Sequence, residues 1–412
     1  MGAISVCRLC KSDLLIPVFS LGDMAFSGVF PGSGSEHVPT GELSIVICRE
    51  CSLAQLDRDF PADEMYGENY GYMSSLNGSM VKHLGQIVKS LEKISNLKKD
   101  DLVLDIGSND GTMLSLYSAQ GITRVGMDPT IVKYKHLYPS DVITIPEFFS
   151  AGTFNQACSG AKAKLVSTVA MLYDLPDPAG FAADIRKILQ DDGFWHIEVS
   201  YGPWMLETGA FDAVCHEHTE YYSLKTLKRI LDGAGMKIVA ISFNNTNGGS
   251  ISITSTPIDN NEIDEAVDEI SEIMANEAAS RCNEEFGWTS FDRLAKSRIS
   301  DLEKLLIKVK NEGKRVAGLG ASTKGNVFLQ TLSEDALSAI DEIGEVNSFK
   351  FGKMTPGTRI PIRSETEVLE SSPDYILVLP WHFKDSFDAR LSDFVSSGGK
   401  VIYPLPELVI VE

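Results

Sequence analysis

No stretch of this 412-residue chain approaches the ~20 consecutive apolar residues that a bilayer span requires. The opening MGAISVCRLC has neither a charged n-region nor an apolar h-region. The expectation is an unprocessed, cytoplasmic chain with no membrane partner. Positive charge is also scarce: 37 Lys and Arg stand against 57 Asp and Glu, a net charge of −20, and no region of the sequence concentrates the basic residues. Such a balance argues against nucleic acid as the main partner. Short-period repeats and low-complexity tracts are absent as well. What remains is 43% hydrophobic and 23% charged, enough to bury a sizeable core in two or three domains.

Four of the seven cysteines fall in two tight pairs, Cys7-Arg8-Leu9-Cys10 and Cys48-Arg49-Glu50-Cys51. Two residues between cysteines let both thiolates turn onto one ion, and two such knuckles complete the four-thiolate shell that zinc prefers. With all four ligands from protein, no position is left for water, so the zinc is expected to be structural. A free-standing zinc ribbon suggests RNA binding, a reading that the acidic balance disfavours.

From Leu102 onward, short apolar runs alternate with helical stretches: LVLDIG, TRVGMD, KLVSTVAML, FWHIEVS, MKIVAISF and SISITSTP. Alternation of this kind predicts a mostly parallel sheet covered by helices on both faces. Residues from about 260 to 312 are charged, free of proline and periodic in apolar residues, as long helices require. A second α/β series follows, from KRVAGLGASTKGN through PDYILVLPWHFK to KVIYPLPEL. The expected division is a zinc-binding domain over 1–75, a central Rossmann-like domain over 76–258, and a C-terminal Rossmann-like α/β domain over 259–412.

Two turns stand out. In VLDIGSNDG a strand runs into a glycine turn and then a helix, but Gly107 is followed by Ser108, Asn109 and Asp110 rather than by the glycine spacing that seats a pyrophosphate. This acidic turn suits a cationic cofactor with an amino acid part, and Asp128, about twenty residues on, is placed to accept ribose hydroxyls. Together they resemble the S-adenosylmethionine site of class I methyltransferases. That resemblance puts Asp105, Gly107, Asn109 and Gly111 beside the methionine half and Asp128 on the ribose, with Phe148 in Glu147-Phe148-Phe149 a candidate flank for adenine. The second turn, Gly318-Leu319-Gly320-Ala321-Ser322-Thr323-Lys324-Gly325-Asn326, carries donors where a diphosphate wants them.

The densest polar cluster is Cys215-His216-Glu217-His218-Thr219-Glu220-Tyr221-Tyr222-Ser223, beyond the FWHIEVS strand. Loops beyond strand carboxyl ends are where α/β sheets place chemistry. If the segment is extended, His216 and His218 project to one face and can share a metal, although no third ligand is evident.

The four-cysteine region, VLDIGSNDG with HEHTEYYS, and GLGASTKGN, taken in this order, resemble the nucleotide-sugar C-methyltransferases of deoxysugar biosynthesis across essentially the whole chain. Tyr70, Tyr72, the Asn247-Gly248-Gly249-Ser250 turn and Pro380-Trp381-His382-Phe383 belong to the same resemblance. It implies methyl transfer from S-adenosylmethionine to a carbon beside the keto group of an NDP-4-keto-deoxysugar, carbon 3 in the best-known members, through an enolate. It also implies that the C-terminal domain docks the nucleotide. His218, His216, Glu217, Tyr72 and Cys215 are then the catalytic candidates, and Tyr70, Tyr72, Tyr222, Asn247, Lys324 and Asn326 the substrate-binding ones. Well-described members carry a tyrosine, the proposed base, where this chain has Cys215, which turns attention to His218 or His216. That departure keeps open a different nucleotide-sugar, or a use of the cofactor without methyl transfer; a zinc-ribbon RNA-binding methyltransferase is the rival from another class. A monomer or homodimer is expected.

Overall fold

The protein is seen in a computed structural model that describes residues 2–32, 34–61, 65 and 72–412. Near the N-terminus, β1 (Leu15–Ala25), β2 (Thr40–Cys48) and β3 (Ala54–Leu56) form an antiparallel meander. Leu43, Ile45 and Ile47 alternate with Glu42 and Ser44 along β2, turning one face of the sheet inward. A fourth strand arrives from far along the chain: Glu220–Tyr221 pairs antiparallel with β3, Tyr221 opposite Ala54 and Glu220 opposite Gln55. The HEHTEY segment therefore runs into the edge of the N-terminal sheet.

The central sheet holds β4 (Leu102–Ile106), β5 (Thr123–Met127), β6 (Ile143–Ile145), β7 (Ala163–Val169) and β8 (Leu189–Ser200). After β9 (Glu220–Tyr221), it is completed by β10 (Met236–Asn244) and β11 (Ser250–Pro257). Its order is β6-β5-β4-β7-β8-β11-β10, parallel except for β11, which runs antiparallel to both neighbours. All five residues of β4 are buried, which explains why its sequence reads as an apolar run and not as an alternation. The helix Gly78–Ser95 covers the sheet with Met80, Leu84, Ile87, Val88 and Leu91. It is capped by the Asn77 side chain and stopped by Asn96 in a left-handed conformation.

The C-terminal sheet contains β12 (Val316–Leu319), β13 (Ile340–Glu345), β14 (Ile362–Ser364), β15 (Tyr375–Val378), β16 (Lys400–Tyr403) and β17 (Val409–Val411). The order is β14-β13-β12-β15-β16-β17, parallel but for β17 at the edge. The proline-free linking stretch forms the helices Val267–Ser280 and Glu285–Asn311. The longer helix buries Trp288, Phe291, Leu302 and Leu306 in one continuous core with the N-terminal and C-terminal sheets, Phe291 lying 4.8 Å from Phe19 ring to ring. Among the described residues, no helix is long and apolar enough to cross a membrane.

Candidate active site

Two knuckles of one shape bring the paired cysteines together. In each, the amide after the second cysteine turns back to the carbonyl of the first: Lys11 N–H donates to Cys7 at 3.0 Å and Ser52 N–H to Cys48 at 2.8 Å, with φ of 61° and 66°. All four sulfurs lie within 4.8 Å of one another, with Cys7–Cys51 and Cys10–Cys48 each 3.5 Å apart and none in a disulfide. A tetrahedron with bonds of ~2.3 Å has edges of about 3.8 Å, so the shell fits zinc. The hydrogen bond from Cys51 holds the Cys7 thiol down at about 4, and the same bond pushes Cys51 up. Gln55 Nε2 donates to Cys7 Sγ at 3.2 Å while its Oε1 accepts from the Arg8 amide at 2.9 Å, an outer layer that orients the ligands.

At the carboxyl ends of β4 and β5, the glycine turn is closely built. Gly107 and Gly111 have φ of 75° and 77°, and a Cβ at Gly111 would meet the Tyr138 ring at 2.8 Å. The Asn109 amide donates to Asp128 Oδ2 at 2.9 Å, and Thr130 holds Asp128 Oδ1 through its amide and hydroxyl, both at 2.6 Å. Asp105 accepts from Ser167 Oγ at 2.6 Å; burial outweighs that bond and, with the charge of Asp128, lifts its carboxyl to about 7. Asp105, Asp110 and Asp128 are all buried, and among the described residues none is ion-paired. Buried carboxyl groups without an ion-pair partner fit a ligand carrying a sulfonium and an ammonium group, whose charge would draw Asp105 back to its ionised form. The segment after the N-terminal unit lies over this turn: Tyr72 O accepts from Asn109 Nδ2 at 3.1 Å, and the Ser74 and Ser75 amides donate to Asn109 and Asp110. Tyr72 is 45% exposed there.

The histidine cluster does not meet the extended condition under which its two histidines could share a metal. Cys215 to His218 is a tight turn closed by His218 N–H to Cys215 O at 3.2 Å, which sends the two histidines into different surroundings. His216 is fully buried between Phe26 and Phe60, with Nε2 3.1 Å from the Gly41 carbonyl. A shared metal is thereby corrected: the described residues bring no metal-ligand set together apart from the four cysteines. His218 is half-buried, 4.4 Å from the Tyr173 ring, with Nδ1 2.9 Å from the Ala213 carbonyl. A carbonyl only accepts, so Nδ1 carries the proton and Nε2 the lone pair. Burial first, and the charge of Lys324 second, pull His218 down to about 4, while the Ala213 bond opposes them.

Several candidates have no surface to offer a substrate. Cys215 is fully buried, and burial with the neighbouring Glu217 charge keeps its thiol well above the usual range, against a thiolate. Tyr222 is buried in the central core with its hydroxyl 3.4 Å from Leu172 O. Asn326 is buried too and donates to Ser27 O at 2.7 Å, joining the C-terminal unit to the N-terminal one. Phe148 is 61% exposed, whereas Phe149 packs on Phe181. Tyr70 lies outside the described residues.

Lys324 sits deeper than a surface phosphate contact would: its Nζ donates to the Asn247 carbonyl at 2.5 Å, and its charge acts on His218, Asp212 and His382. Asn247 adopts φ 56° in a turn that rests Gly248 against Trp381. Glu217 is nearly buried at the junction of all three units, its Oε1 2.8 Å from where a Cβ on Gly28 would stand; burial raises its carboxyl. No motif pointed to Asp212, which accepts from Trp381 Nε1 at 2.9 Å. Nor did any motif mark the half-buried His83, whose Nε2 lies 2.6 Å from Oε1 of the buried Glu198 beside Asn244. A lone acid inside the apolar FWHIEVS run was the available signal for Glu198.

Three family models match successive parts of the chain: residues 7–66 as a zinc binding domain, 80–241 as a methyltransferase domain and 245–406 as a C-methyltransferase C-terminal domain. The C-methyltransferase NovU of Streptomyces niveus is 31% identical over 410 residues, covering 98% of this chain and 96% of that one. Among solved structures, the mitomycin 7-O-methyltransferase MmcR aligns over 44% of this chain and 55% of its own, at 11% identity and a TM-score of 0.35. The Burkholderia thailandensis 1,6-didemethyltoxoflavin-N1-methyltransferase aligns over 50% and 96%, at 14% identity and 0.36.

Proposed function

From the premise that the chain belongs to the C-methyltransferase family, as a zinc-binding, S-adenosylmethionine-dependent enzyme, we propose that it methylates a carbon beside the keto group of a nucleotide-linked 4-keto-deoxysugar. The observation that carries this reading is His218: a neutral imidazole whose proton is committed to Ala213 and whose other nitrogen keeps its lone pair, within reach of the charge of the half-buried Lys324.

In this reading His218 Nε2 removes the proton from the carbon next to the keto group, which leaves an enolate. The positive charge of Lys324, fixed by the Asn247 carbonyl, favours the developing negative charge and disfavours a resting imidazolium. Once protonated, His218 returns the proton to solvent. Glu217 and Tyr72 are positioned as polar walls around the sugar. Asp105, Asp110 and Asp128 hold the cofactor's cationic and ribose parts, with Gly107 and Gly111 allowing close approach. S-adenosylmethionine held by these residues would supply the electrophilic methyl that the enolate takes. The cysteine shell has no open ligand position and serves the fold.

The test is product analysis. Purified protein is incubated with labelled S-adenosylmethionine and a panel of NDP-4-keto-sugars, and the methyl is located by NMR. Transfer to carbon next to the keto group is expected; transfer to oxygen, or to none of the panel, overturns the proposal.

A further inference from the structure

We propose that Glu198 is a positioning residue for the proton transfer: through Asn244 it fixes the turn over residues 244–249, whose Asn247 carbonyl holds the Lys324 ammonium where it acts on His218. The inference rests on the reading above, in which His218 is the base and Lys324 the charge that tunes it. It gives a task to a buried carboxylate that neither the cofactor turn nor the histidine cluster uses.

Glu198 lies near the end of β8 and is 2% exposed. Three elements converge on its carboxylate. His83, from the helix Gly78–Ser95, places Nε2 2.6 Å from Oε1. Asn244, the last residue of β10, donates its Nδ2 to Oε2 at 2.9 Å, and Ser252 of β11 donates its hydroxyl to the same oxygen. A carboxylate only accepts, so the His83 proton facing it is on Nε2. Burial raises the Glu198 carboxyl, but the bond and charge of His83, with the Ser252 bond, outweigh it and leave Glu198 below the usual range. The other histidine that acts on it, His196, is pulled down to about 4 by burial and lies with Nδ1 3.1 Å from Thr254 Oγ1. Taking an ionised carboxylate out of water is costly, and a buried ion pair adds little net stability over apolar groups of the same shape. Stability alone is thus a weak reason for Glu198.

Its Asn244 contact leads toward the base. Asn244 Oδ1 accepts from the Thr246 amide at 2.9 Å, and Ser250 Oγ closes the same turn on Thr246 O at 2.9 Å. The next residue, Asn247, stands at φ 56°, and its carbonyl accepts from Lys324 Nζ at 2.5 Å. The turn has little slack: a Cβ on Gly249 would meet the Trp204 ring at 2.6 Å, and one on Gly248 the Trp381 ring at 3.5 Å. Among the described residues no carboxylate lies within ion-pair distance of Lys324, so the Asn247 carbonyl is what fixes its ammonium. Asp212 and Cys215 act on that ammonium, and its charge helps to hold His218 and His382 neutral.

Glu198 therefore has two routes to His218, of opposite sign. As a bare negative charge it favours the imidazolium, so its removal lowers the pKa of His218. As the anchor of Lys324 it disfavours the imidazolium, so its removal raises that pKa.

NMR titration of the histidine rings, on the whole zinc-loaded chain labelled in histidine, separates the two. The His218 signal is identified by its loss in His218→Ala. In the parent, His218 is expected to stay neutral down to about pH 5; in Glu198→Ala, Asn244→Ala and Lys324→Met it is expected to take up its proton about half a pH unit or more higher. The double variant Glu198→Ala/Lys324→Met should rise no further than Lys324→Met alone, because both changes remove one field. Glu198→Gln still offers Asn244 an acceptor and is expected to restore the parent titration. A merely structural carboxylate would lower the melting temperature and leave the titration unmoved. A His218 titration that is unchanged or moves downward in Glu198→Ala and Asn244→Ala overturns the proposal, as do shifts that add in the double variant, or no shift in Lys324→Met. If Glu198→Ala does not fold, Asn244→Ala decides by itself. The titration needs no sugar, so its failure is told apart from a failure of the substrate reading, which product analysis alone tests.

Discussion

Removing the His218 imidazole should abolish proton abstraction while leaving the cofactor site intact. His218→Ala is expected to lower turnover by about 10²–10⁴-fold, the usual worth of a positioned general base. The pH profile gives a sharper measure. Burial and Lys324 hold His218 at about 4 instead of the ordinary 6.5. The gap corresponds to roughly 3 kcal/mol against protonating the free enzyme. The acid limb of kcat/KM should accordingly sit near pH 4. Lys324→Met removes the repulsive charge, so His218 gains a proton more easily and the limb should move upward toward 6.5, even as turnover falls. Deuterium wash-in at the sugar carbon, followed without S-adenosylmethionine, isolates the proton step. It should vanish in His218→Ala and persist within about tenfold in Cys215→Ser, whose buried thiol is held neutral. Exchange that survives in His218→Ala but disappears in Cys215→Ser would refute the reasoning, as would an acid limb that ignores Lys324→Met.

Metal analysis should find one zinc per chain, lost in Cys48→Ser. Chelation should lower the melting temperature and, because β3 pairs with the strand just after His218, also reduce methyl transfer in the protein that stays folded. Asp128→Ala should weaken S-adenosylmethionine by about 1.5–3 kcal/mol in calorimetry, the range for a hydrogen bond to a charged group; unchanged affinity would displace the cofactor assignment. Burial also holds His196 and His216 at about 4. As pH falls below the ordinary 6.5, the unfolded chain takes up these protons first, so stability present above pH 6.5 should drain away toward pH 4. Urea midpoints that stay constant over that window would count against it.

What could be read from the sequence was local. The cysteine spacing specified a knuckle because each bends through its own backbone, Lys11 to Cys7 and Ser52 to Cys48. VLDIGSNDG was legible because a buried strand, a turn with positive φ and a helix start are encoded within ten residues. HEHTEYYS was conspicuous but its shape was not legible, since that shape depends on β3, Gly41 and Phe60 more than 150 residues earlier in the chain. Tyr222 and Asn326 looked like binding groups by residue type, and only packing reveals them as buried. Asp212, Lys324 and Trp381 come together from three separate short helical elements, an arrangement that no local pattern carries.

The strand Glu220–Tyr221 also bears on how such proteins exchange parts. By sequence the chain divides into three consecutive cassettes, but the sheet does not respect the first seam: the segment bearing His218 ends as the edge strand of the N-terminal unit, and Arg8 reaches to within 3.8 Å of Glu220. A chimera joined near residue 75 would marry one parent's knuckle to the other parent's strand. Fusions meant to alter substrate choice should thus inherit residues 1–75 and 211–223 from a single parent, as one interleaved block.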